Sequence, residues 1–173
     1  MNKKEKIILA TVKKFANKLP KFPDGRINYS NSDVAPVITV FIKYQNKILL
    51  LKRSSKVSAY QEKWNTVAGY LDDLNPLREK ALEEVQEELE ISEDNILLFC
   101  AGESYKFTDA EINKTWLVHP VLVELKNKPN IKLNWEHTQY KWIKEKELKK
   151  FDVVPNLDKS LENVFKRIKR SGD

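Results

Sequence analysis

Cysteine and histidine are scarce in this sequence of 173 residues, which contains one cysteine, Cys100, and two histidines, His119 and His137. A single cysteine excludes a disulfide framework within the chain and is typical of proteins from a reducing compartment. The two histidines are far apart in the sequence, and no group of Cys and His residues has the spacing of metal ligands. The sequence therefore gives no support to a zinc site.

Long apolar segments are also missing. No stretch approaches the roughly 20 apolar residues that a membrane-spanning helix needs. The first ten residues, MNKKEKIILA, begin with basic residues, but their apolar run is short and is soon interrupted by Lys13 and Lys14, unlike a signal peptide. We therefore expect a soluble protein of the cytoplasm with no membrane partner.

Positive charge is in moderate excess, with 31 Lys and Arg against 25 Asp and Glu and a net charge of +6. Much of the excess lies near the ends, in the segments MNKKEK and KRIKR. Such a charge fits nucleic-acid binding, an anionic small substrate or a lysine-rich surface. Because no module of aromatic and basic residues accompanies the charge, nucleic acid is not the expected partner.

The pattern of apolar residues predicts strands mixed with a few helices. Residues 35–44 and 47–53 are rich in β-branched and aliphatic residues and flank a QN turn, which is typical of a hairpin. The predicted elements are, in chain order, a helix over 3–19, the two hairpin strands, a short strand over 64–70 with a bend at Gly69, a helix from Pro76 to about Leu89, strands over 96–107, 114–125 and 140–144, and a closing helix from about Pro155. This order predicts an α/β protein in which helices cover a mixed β-sheet, an α/β/α sandwich.

The helix before residue 90 is dense in glutamate, and Asn75 is its predicted N-cap. Glu84, Glu87 and Glu88 are spaced i, i+3 and i+4, so they share one face of the helix. Like charges placed this closely repel one another unless a cation or solvent screens them, and Mg²⁺ prefers carboxylate oxygens. The alternative interpretation is an ordinary solvated helix face.

The segment KWNTVAGYLDDLNPLREKALEEVQEELEIS, residues 63–92, resembles the signature of the Nudix hydrolases, G-x5-E-x7-R-E-U-x-E-E-x-G-U, where U is aliphatic. The spacing fits from Gly69 to Ile91 without a gap. The matching positions are Gly69, Glu84, Val85, Glu87, Glu88 and Ile91. The lead-in strand LLLKRS and the later segments VHPVLVELKN and WEHTQYKWI extend the resemblance to about residues 34–155. The resemblance implies a Nudix domain over 31–173, with residues 1–30 as an N-terminal helix and turn packed on it.

The resemblance also implies a set of site residues. Family members bind divalent metal, Mg²⁺ or Mn²⁺, through the glutamates of the signature and a main-chain carbonyl before its glycine. Here these ligands are Glu84, Glu87, Glu88 and Ala68. Some members take a general base from the loop before the last strand, and Glu136 is the candidate.

Other residues are candidates for binding the substrate. Lys52 and Arg53 end the second strand, where a guanidinium can hold a phosphate through two hydrogen bonds. Trp135 is the best candidate for stacking on a base, and Gly69 forms the bend beside the glutamates. Four further aromatic residues are interpreted mainly as core: Tyr60, Trp64, Tyr105 and Trp116.

Three positions depart from the signature: Asn75, Glu83 and Glu90. The family's structural pair of a glutamate and an arginine is replaced by Asn75 and Glu83, and losing both members of an ion pair can be nearly neutral. Glu90 replaces a glycine, so we expect that the helix ends there with some geometry other than a left-handed turn.

The expected activity is Mg²⁺-dependent hydrolysis of a pyrophosphate bond in a nucleoside diphosphate linked to another group, X. Nucleotide sugars, ADP-ribose, dinucleotides and nucleoside triphosphates all fit. A Nudix-fold protein that binds nucleotide or RNA without hydrolysis is the main alternative. A relative of isopentenyl diphosphate isomerase is the less favoured one, because Cys100 sits in no recognisable motif. The resemblance leaves a homodimer possible.

Overall fold

A computed structural model of the chain describes residues 3–171. The helices are α1 (Lys3–Ala16), α2 (Leu77–Leu89) and α3 (Leu157–Ser171). The strands are β1 (Val34–Tyr44), β2 (Lys47–Arg53), β3 (Trp64–Asn65), β4 (Val67–Tyr70), β5 (Ile96–Ala101), β6 (Tyr105–Asp109), β7 (Lys114–Leu125) and β8 (His137–Ile143). Two short 3₁₀ helices, Glu93–Asn95 and Glu145–Lys150, complete the described elements.

The strands form one mixed sheet. Its central pair, β1 and β7, runs parallel over ten residue pairs, from Val34 opposite Thr115 to Lys43 opposite Glu124. The other pairings are antiparallel: β1 with β2 and β4, β2 with β3 and β8, and β7 with β5 and β6. The prediction of a mixed sheet is confirmed.

Alternate residues of the central strands fill two separate cores. In β1, Ile38, Val40 and Ile42 pack on the face covered by α1 and α2, and Phe41 packs on the face covered by α3. The alternation follows from the two-residue period of a strand. Helices thus cover both faces of the sheet, and the expected α/β/α sandwich is confirmed.

The N-terminal helix α1 contributes Ile8 and Val12 to the first core. Its contacts with the sheet are those expected of a helix packed on the domain, although the boundary near residue 30 stays a prediction. No helix within residues 3–171 combines the length and apolar character needed to cross a membrane.

Three strand predictions were wrong in detail. The strand predicted over 64–70 is two strands, β3 paired with β2 and β4 paired with β1, and Gly69 lies within β4 opposite Ile38 rather than at a bend. The strand predicted over 96–107 is interrupted, and β5 and β6 pair separately with β7. The interruption contains Gly102, where an added Cβ would lie 2.9 Å from the backbone carbonyl carbon of Asn163 in α3, so the chain bends at a close helix contact. The last strand begins at His137 rather than Tyr140, because its first residues still pair with β2.

The predicted cap of α2 was also wrong. Pro76, with φ −54° and ψ 147°, is the N-cap, and the helix begins at Leu77. The backbone N–H of Lys80 donates to the Pro76 carbonyl at 3.0 Å and closes the first turn. Asn75 lies before the cap, and its N–H donates to Asp73 Oδ1 at 2.8 Å. Asn75 therefore belongs to a turn held by an aspartate.

Candidate active site

A cavity of about 370 Å³ opens beside β4 and the glutamate face of α2. Its size lies in the range typical of small-molecule pockets. Most of the predicted site residues line it: Arg53, Ala68, Gly69, Glu84, Glu87, Trp135 and Glu136. The structure therefore brings together residues from four separate segments of the chain, as the sequence resemblance implied.

Glu84 is packed against the backbone of Gly69. A Cβ added at Gly69 would lie 2.2 Å from Glu84 Oε1, so only glycine leaves room for this carboxylate. Burial raises the pKa of Glu84 to about 7, and the charges of Glu88 and Glu87 act in the same direction against the opposing ammonium of Lys80. A buried carboxylate with this pKa is costly to ionise, and a nearby cation lowers that cost.

Glu88 differs from Glu84 because its side chain is only 2% exposed and does not line the cavity. Its Oε1 accepts from the backbone N–H of Ala68 at 3.2 Å, and its Oε2 lies 2.6 Å from His137 Nε2. Burial, followed by the charge of Glu136, raises the pKa of Glu88 well above its usual value. Glu88 therefore joins β4, α2 and β8 beneath the floor of the cavity.

His137 is buried, and burial lowers its pKa to about 4, so the ring is neutral near pH 7. Its Nδ1 has no hydrogen-bond partner among the residues that the structure describes. When the neutral ring carries its proton on Nε2, it donates a hydrogen bond to Glu88 Oε2 and needs no acceptor at Nδ1. This tautomer is assigned from the hydrogen-bond geometry. His137 thus supports Glu88 from behind and does not face the cavity.

Three other acids line the cavity, Asp72, Glu87 and Glu136, and Glu87 is exposed. The loop that carries Glu136 is fixed to α2, because the N–H of Asn134 donates to the Glu88 carbonyl at 3.2 Å. Asn134 Oδ1 in turn accepts from the N–H of Glu136 at 3.0 Å. The loop acid is therefore held near the helix glutamates by backbone contacts.

The two basic candidates, Arg53 and Lys52, differ in their position relative to the cavity. Arg53 lines the cavity, and its Nε–H donates to the Ala59 carbonyl at 3.0 Å, which leaves its other N–H groups free to bind an anion. Lys52 does not line the cavity, and its Nζ lies 3.2 Å from Glu62 Oε2. Arg53 thus lies at the cavity and Lys52 does not, and the phosphate-binding role of each stays a prediction.

Aromatic side chains form a further wall of the cavity. Trp135 lines it with 61% of the residue exposed, as expected for a stacking residue in a loop. Tyr60, Tyr105 and Trp116 also line the cavity, although the sequence pattern placed them mainly in the core. Trp116 Nε1–H donates to the Tyr60 hydroxyl at 3.0 Å, so this wall is held in place by its own hydrogen bond.

Sequence reasoning missed two site residues. Asn65 is buried and lines the cavity, and its Oδ1 has no partner within residues 3–171. Lys80, with a side chain only 4% exposed, places Nζ 3.2 Å from Glu84 Oε1. The only sequence signal for Lys80 was its position one helical turn before Glu84; Asn65 had no signal, because burial of its amide depends on strand pairing.

The carboxylates do not form a ready-made metal cage. Within the described part of the chain, no three His, Cys, Asp or Glu side chains have a geometry that could hold a metal ion. Two contacts explain this: Glu84 faces Lys80, and Glu88 faces His137. The metal prediction for Glu84, Glu87 and Glu88 stays a prediction.

Solved structures with the same fold define the class of protein. An Ap4A hydrolase of C. elegans aligns with a TM-score of 0.63 and 19% identity, covering 79% of this chain and 98% of its own. A MutT Nudix hydrolase of Burkholderia pseudomallei aligns with a TM-score of 0.63 and 21% identity over 76% and 98%. A MutT protein of Methanosarcina mazei Go1 aligns with a TM-score of 0.62 and 19% identity over 83% and 98%. At these identities the likeness shows the fold, which is that of the Nudix hydrolases.

The family follows from the sequence itself. The model of the NUDIX domain matches residues 33–164, and this chain therefore belongs to the Nudix family, whose hydrolases act on pyrophosphate bonds. A comparison with proteins of curated function finds no significant match. Nudix hydrolases generally use divalent metal ions and act on small nucleotide substrates. The family assignment made from residues 69–91 is confirmed.

Proposed function

We propose that this protein hydrolyses a pyrophosphate bond in a nucleoside diphosphate linked to another group, with Mg²⁺ or Mn²⁺ as cofactor. Nucleotide sugars, ADP-ribose, dinucleotides and nucleoside triphosphates are the substrate classes considered. The observation that carries the proposal is the shared cavity, whose lining includes Glu84, Glu87 and Glu136 together with the aromatic wall. Acids that can hold a metal against phosphates and rings that can stack on a base match the two chemical parts of a nucleotide.

The donor set fits a hard divalent cation. The residues that would hold it are Ala68, through its carbonyl, and Glu84, Glu87 and Glu88, all of which offer oxygen atoms. Burial and mutual repulsion raise the pKa of both Glu84 and Glu88, and a cation would relieve these costs. When bound, the metal supplies charge neutralisation at the phosphates and lowers the pKa of a water molecule.

The chain's own groups divide the remaining work. Glu136 lines the cavity, and its carboxylate would accept the proton of an attacking water. Arg53 offers a planar guanidinium to a phosphate group, which positions the phosphorus for attack. His137 holds Glu88, and through it the peptide of Ala68, in a fixed orientation.

The aromatic wall suits the organic part of the substrate. Trp135 offers an exposed ring for stacking, and Trp116 also lines the cavity. Asn65 adds an unsatisfied amide oxygen, which would accept a hydrogen bond from a base or sugar. A polar atom left without a partner in a buried wall is costly unless a ligand or water meets it.

One observation favours the second candidate, a protein that binds nucleotide without hydrolysis. Lys80 and His137 already contact two of the three signature glutamates, so a metal must compete with them. The isomerase alternative gains nothing from the structure, because Cys100 lies in β5 and is not among the residues that line the cavity.

The test is a panel of the four substrate classes, incubated with Mg²⁺, Mn²⁺ or EDTA, with products identified by mass spectrometry. We expect metal-dependent release of a nucleoside monophosphate or pyrophosphate from at least one class. Glu87→Gln should lower turnover at least about tenfold, because it weakens metal binding without removing buried contacts. Glu79→Gln, on the first turn of the same helix and exposed, is the matched control and should leave turnover unchanged.

Two results would count against hydrolysis. Equal turnover in Glu87→Gln and the wild type would refute the metal role of Glu87. A panel without products, from protein that binds nucleotide tightly, would instead favour the binding function.

A further inference from the structure

Lys80 is a buried ammonium enclosed by acids. Its Nζ lies 3.0 Å from Asp72 Oδ1, 3.2 Å from Glu83 Oε2 and 3.2 Å from Glu84 Oε1. A fourth carboxylate, that of Asp73, lies at 3.8 Å. Two of these acids come from the loop after β4 and two from α2, so Lys80 connects the loop with the helix.

This arrangement accounts for the missing pair of the signature. The sequence has Asn75 and Glu83 where the family has a glutamate and an arginine, which suggested that no ion pair joins loop and helix. In the structure Glu83 is paired with Lys80, and Asp72 supplies the acid from the loop. An ion pair between loop and helix is therefore present, but its basic residue is at position 80, three residues before the position of the signature arginine.

From position 80 the ammonium also contacts Glu84, which lines the cavity. Glu84 lies between the backbone of Gly69 on one side and Lys80 on the other. Two cations near one carboxylate repel each other, by an amount that is large where water is excluded. A divalent ion bound at Glu84 would therefore have to share this carboxylate with Lys80.

We propose that Lys80 is the resident counter-cation of the metal site: in the metal-free protein it neutralises Glu84, and it weakens the binding of a divalent ion there. The inference rests on the proposed function, since it requires that Glu84 be a metal ligand. Lys80 is a positioning residue on this view, because it acts on the metal through Glu84. Coupling of this kind is reciprocal, so metal binding should also loosen the hold of Lys80 on the loop.

The experiment compares the wild type with Lys80→Met, which keeps most of the side-chain volume and removes the charge. Melting temperatures are measured in EDTA and in saturating Mn²⁺, and the Mn²⁺ dissociation constant is measured by calorimetry. In EDTA, Lys80→Met should melt at least about 3 °C lower, because Asp73, Glu83 and Glu84 lose their contact with a cation and Asp72 keeps only the 3.6 Å contact with Arg26. Mn²⁺ should raise its melting temperature by at least about 3 °C more than that of the wild type. The Mn²⁺ dissociation constant of Lys80→Met should be at least about fivefold lower than that of the wild type.

Two controls separate this role from a structural one. Lys132→Met removes a lysine that is paired with Glu90 at 2.8 Å but lies away from the cavity, and its response to Mn²⁺ should equal that of the wild type. Lys80→Arg keeps the charge and should also respond as the wild type does. If Lys80→Met does not fold in EDTA, the double variant Lys80→Met/Asp72→Asn, which removes an acid together with the base, takes its place in the same comparison.

The inference would be overturned if Mn²⁺ raised the melting temperature of Lys80→Met by no more than it raises that of the wild type. In that case metal-dependent hydrolysis by the wild type would leave the proposed function intact. If the wild type itself neither binds Mn²⁺ nor hydrolyses any substrate of the panel, the proposed function fails, and the inference fails with it.

Discussion

Gly69 has no side chain at the one point where the carboxylate of Glu84 needs that space. Its backbone is not in the left-handed region, so alanine is compatible with the local conformation. We expect Gly69→Ala to push Glu84 away from its position, because the new Cβ would lie 2.2 Å from Oε1. The atoms that must move are the end of a flexible side chain. The free energy of unfolding should therefore change by less than about 1 kcal/mol, while turnover on the best substrate falls at least about tenfold.

Gly102→Ala is the matched comparison. Its added Cβ would lie 2.9 Å from backbone atoms of Asn163 and Val164 in α3, which cannot move without shifting the helix. This variant should lose about 1–3 kcal/mol of stability in urea denaturation, with normal turnover in the folded fraction. The opposite result, in which Gly69→Ala unfolds the protein and Gly102→Ala is silent, would contradict our view of both glycines.

At the level of single residues, the sequence predicted the groups that line the cavity better than the groups that hold them. Glu84 and Glu87 were found through their spacing in a signature, and Glu136 through its place in the loop before the last strand. The contacts of Lys80 with Asp72 and of His137 with Glu88 depend on distances between segments. No local pattern encodes such distances, so these partners became visible only in the fold.

Among the elements, α2 shows how a helix can end without glycine. Glu90, where the signature has glycine, adopts φ 54° and ψ 34°, and its N–H donates to the Gln86 carbonyl at 3.0 Å. The expectation of some other geometry at this position was therefore wrong. The chain has only four glycines, and further left-handed positions are also taken by other residues, such as Gln45 and Tyr60.

The left-handed conformation gives a prediction for α2. It costs a non-glycine residue about 1–2 kcal/mol, and the ion pair of Glu90 with Lys132 is exposed and contributes little in return. Glu90→Gly should therefore raise the free energy of unfolding by about 0.5–1 kcal/mol, less than the full strain because glycine also gains freedom in the unfolded chain. Urea denaturation measures the difference, and Lys132→Met shows separately what the ion pair contributes. A loss of stability in Glu90→Gly would mean that the helix end carries no strain.

On the scale of the whole molecule, the layers of the fold were predictable from local periods. The alternation of apolar residues in β1 and the apolar stripes of α2 and α3 each identify a face that must be buried. These faces can all be buried when helices cover the sheet on both sides. The parallel pairing of β1 with β7 was not predictable in this way, because it joins residues about 80 positions apart. The cavity depends on that pairing, so its shape could not be predicted from the sequence.

The buried acids also give the molecule a characteristic dependence on pH. Burial raises the pKa of Glu84 to about 7 and raises that of Glu88 as well. In the unfolded chain these carboxyl groups lose their protons near pH ~4.3, so the folded protein holds protons that the unfolded chain has already released. The stability contributed by such groups is fully present at low pH and is lost as the pH rises through the folded pKa. His119 and His137 act in the opposite direction, because burial lowers the pKa of each to about 4, and the stability that they contribute grows as the pH rises through the unfolded pKa of about 6.5.

Glu84 titrates within the interval from pH 6 to pH 8, and a comparison with Glu84→Gln separates its contribution from that of the two histidines. In EDTA, we expect the part of the unfolding free energy that depends on Glu84 to fall by about 1 kcal/mol across this interval, since its carboxyl group ionises there against the cost of burial. Glu84→Gln removes the titration and should flatten the pH dependence by that amount, whereas the exposed Glu79→Gln should leave it unchanged. Urea denaturation of the three proteins at pH 6, 7 and 8 makes the comparison. If the wild type and Glu84→Gln show parallel curves, Glu84 is ionised throughout and Lys80 alone outweighs the cost of its burial.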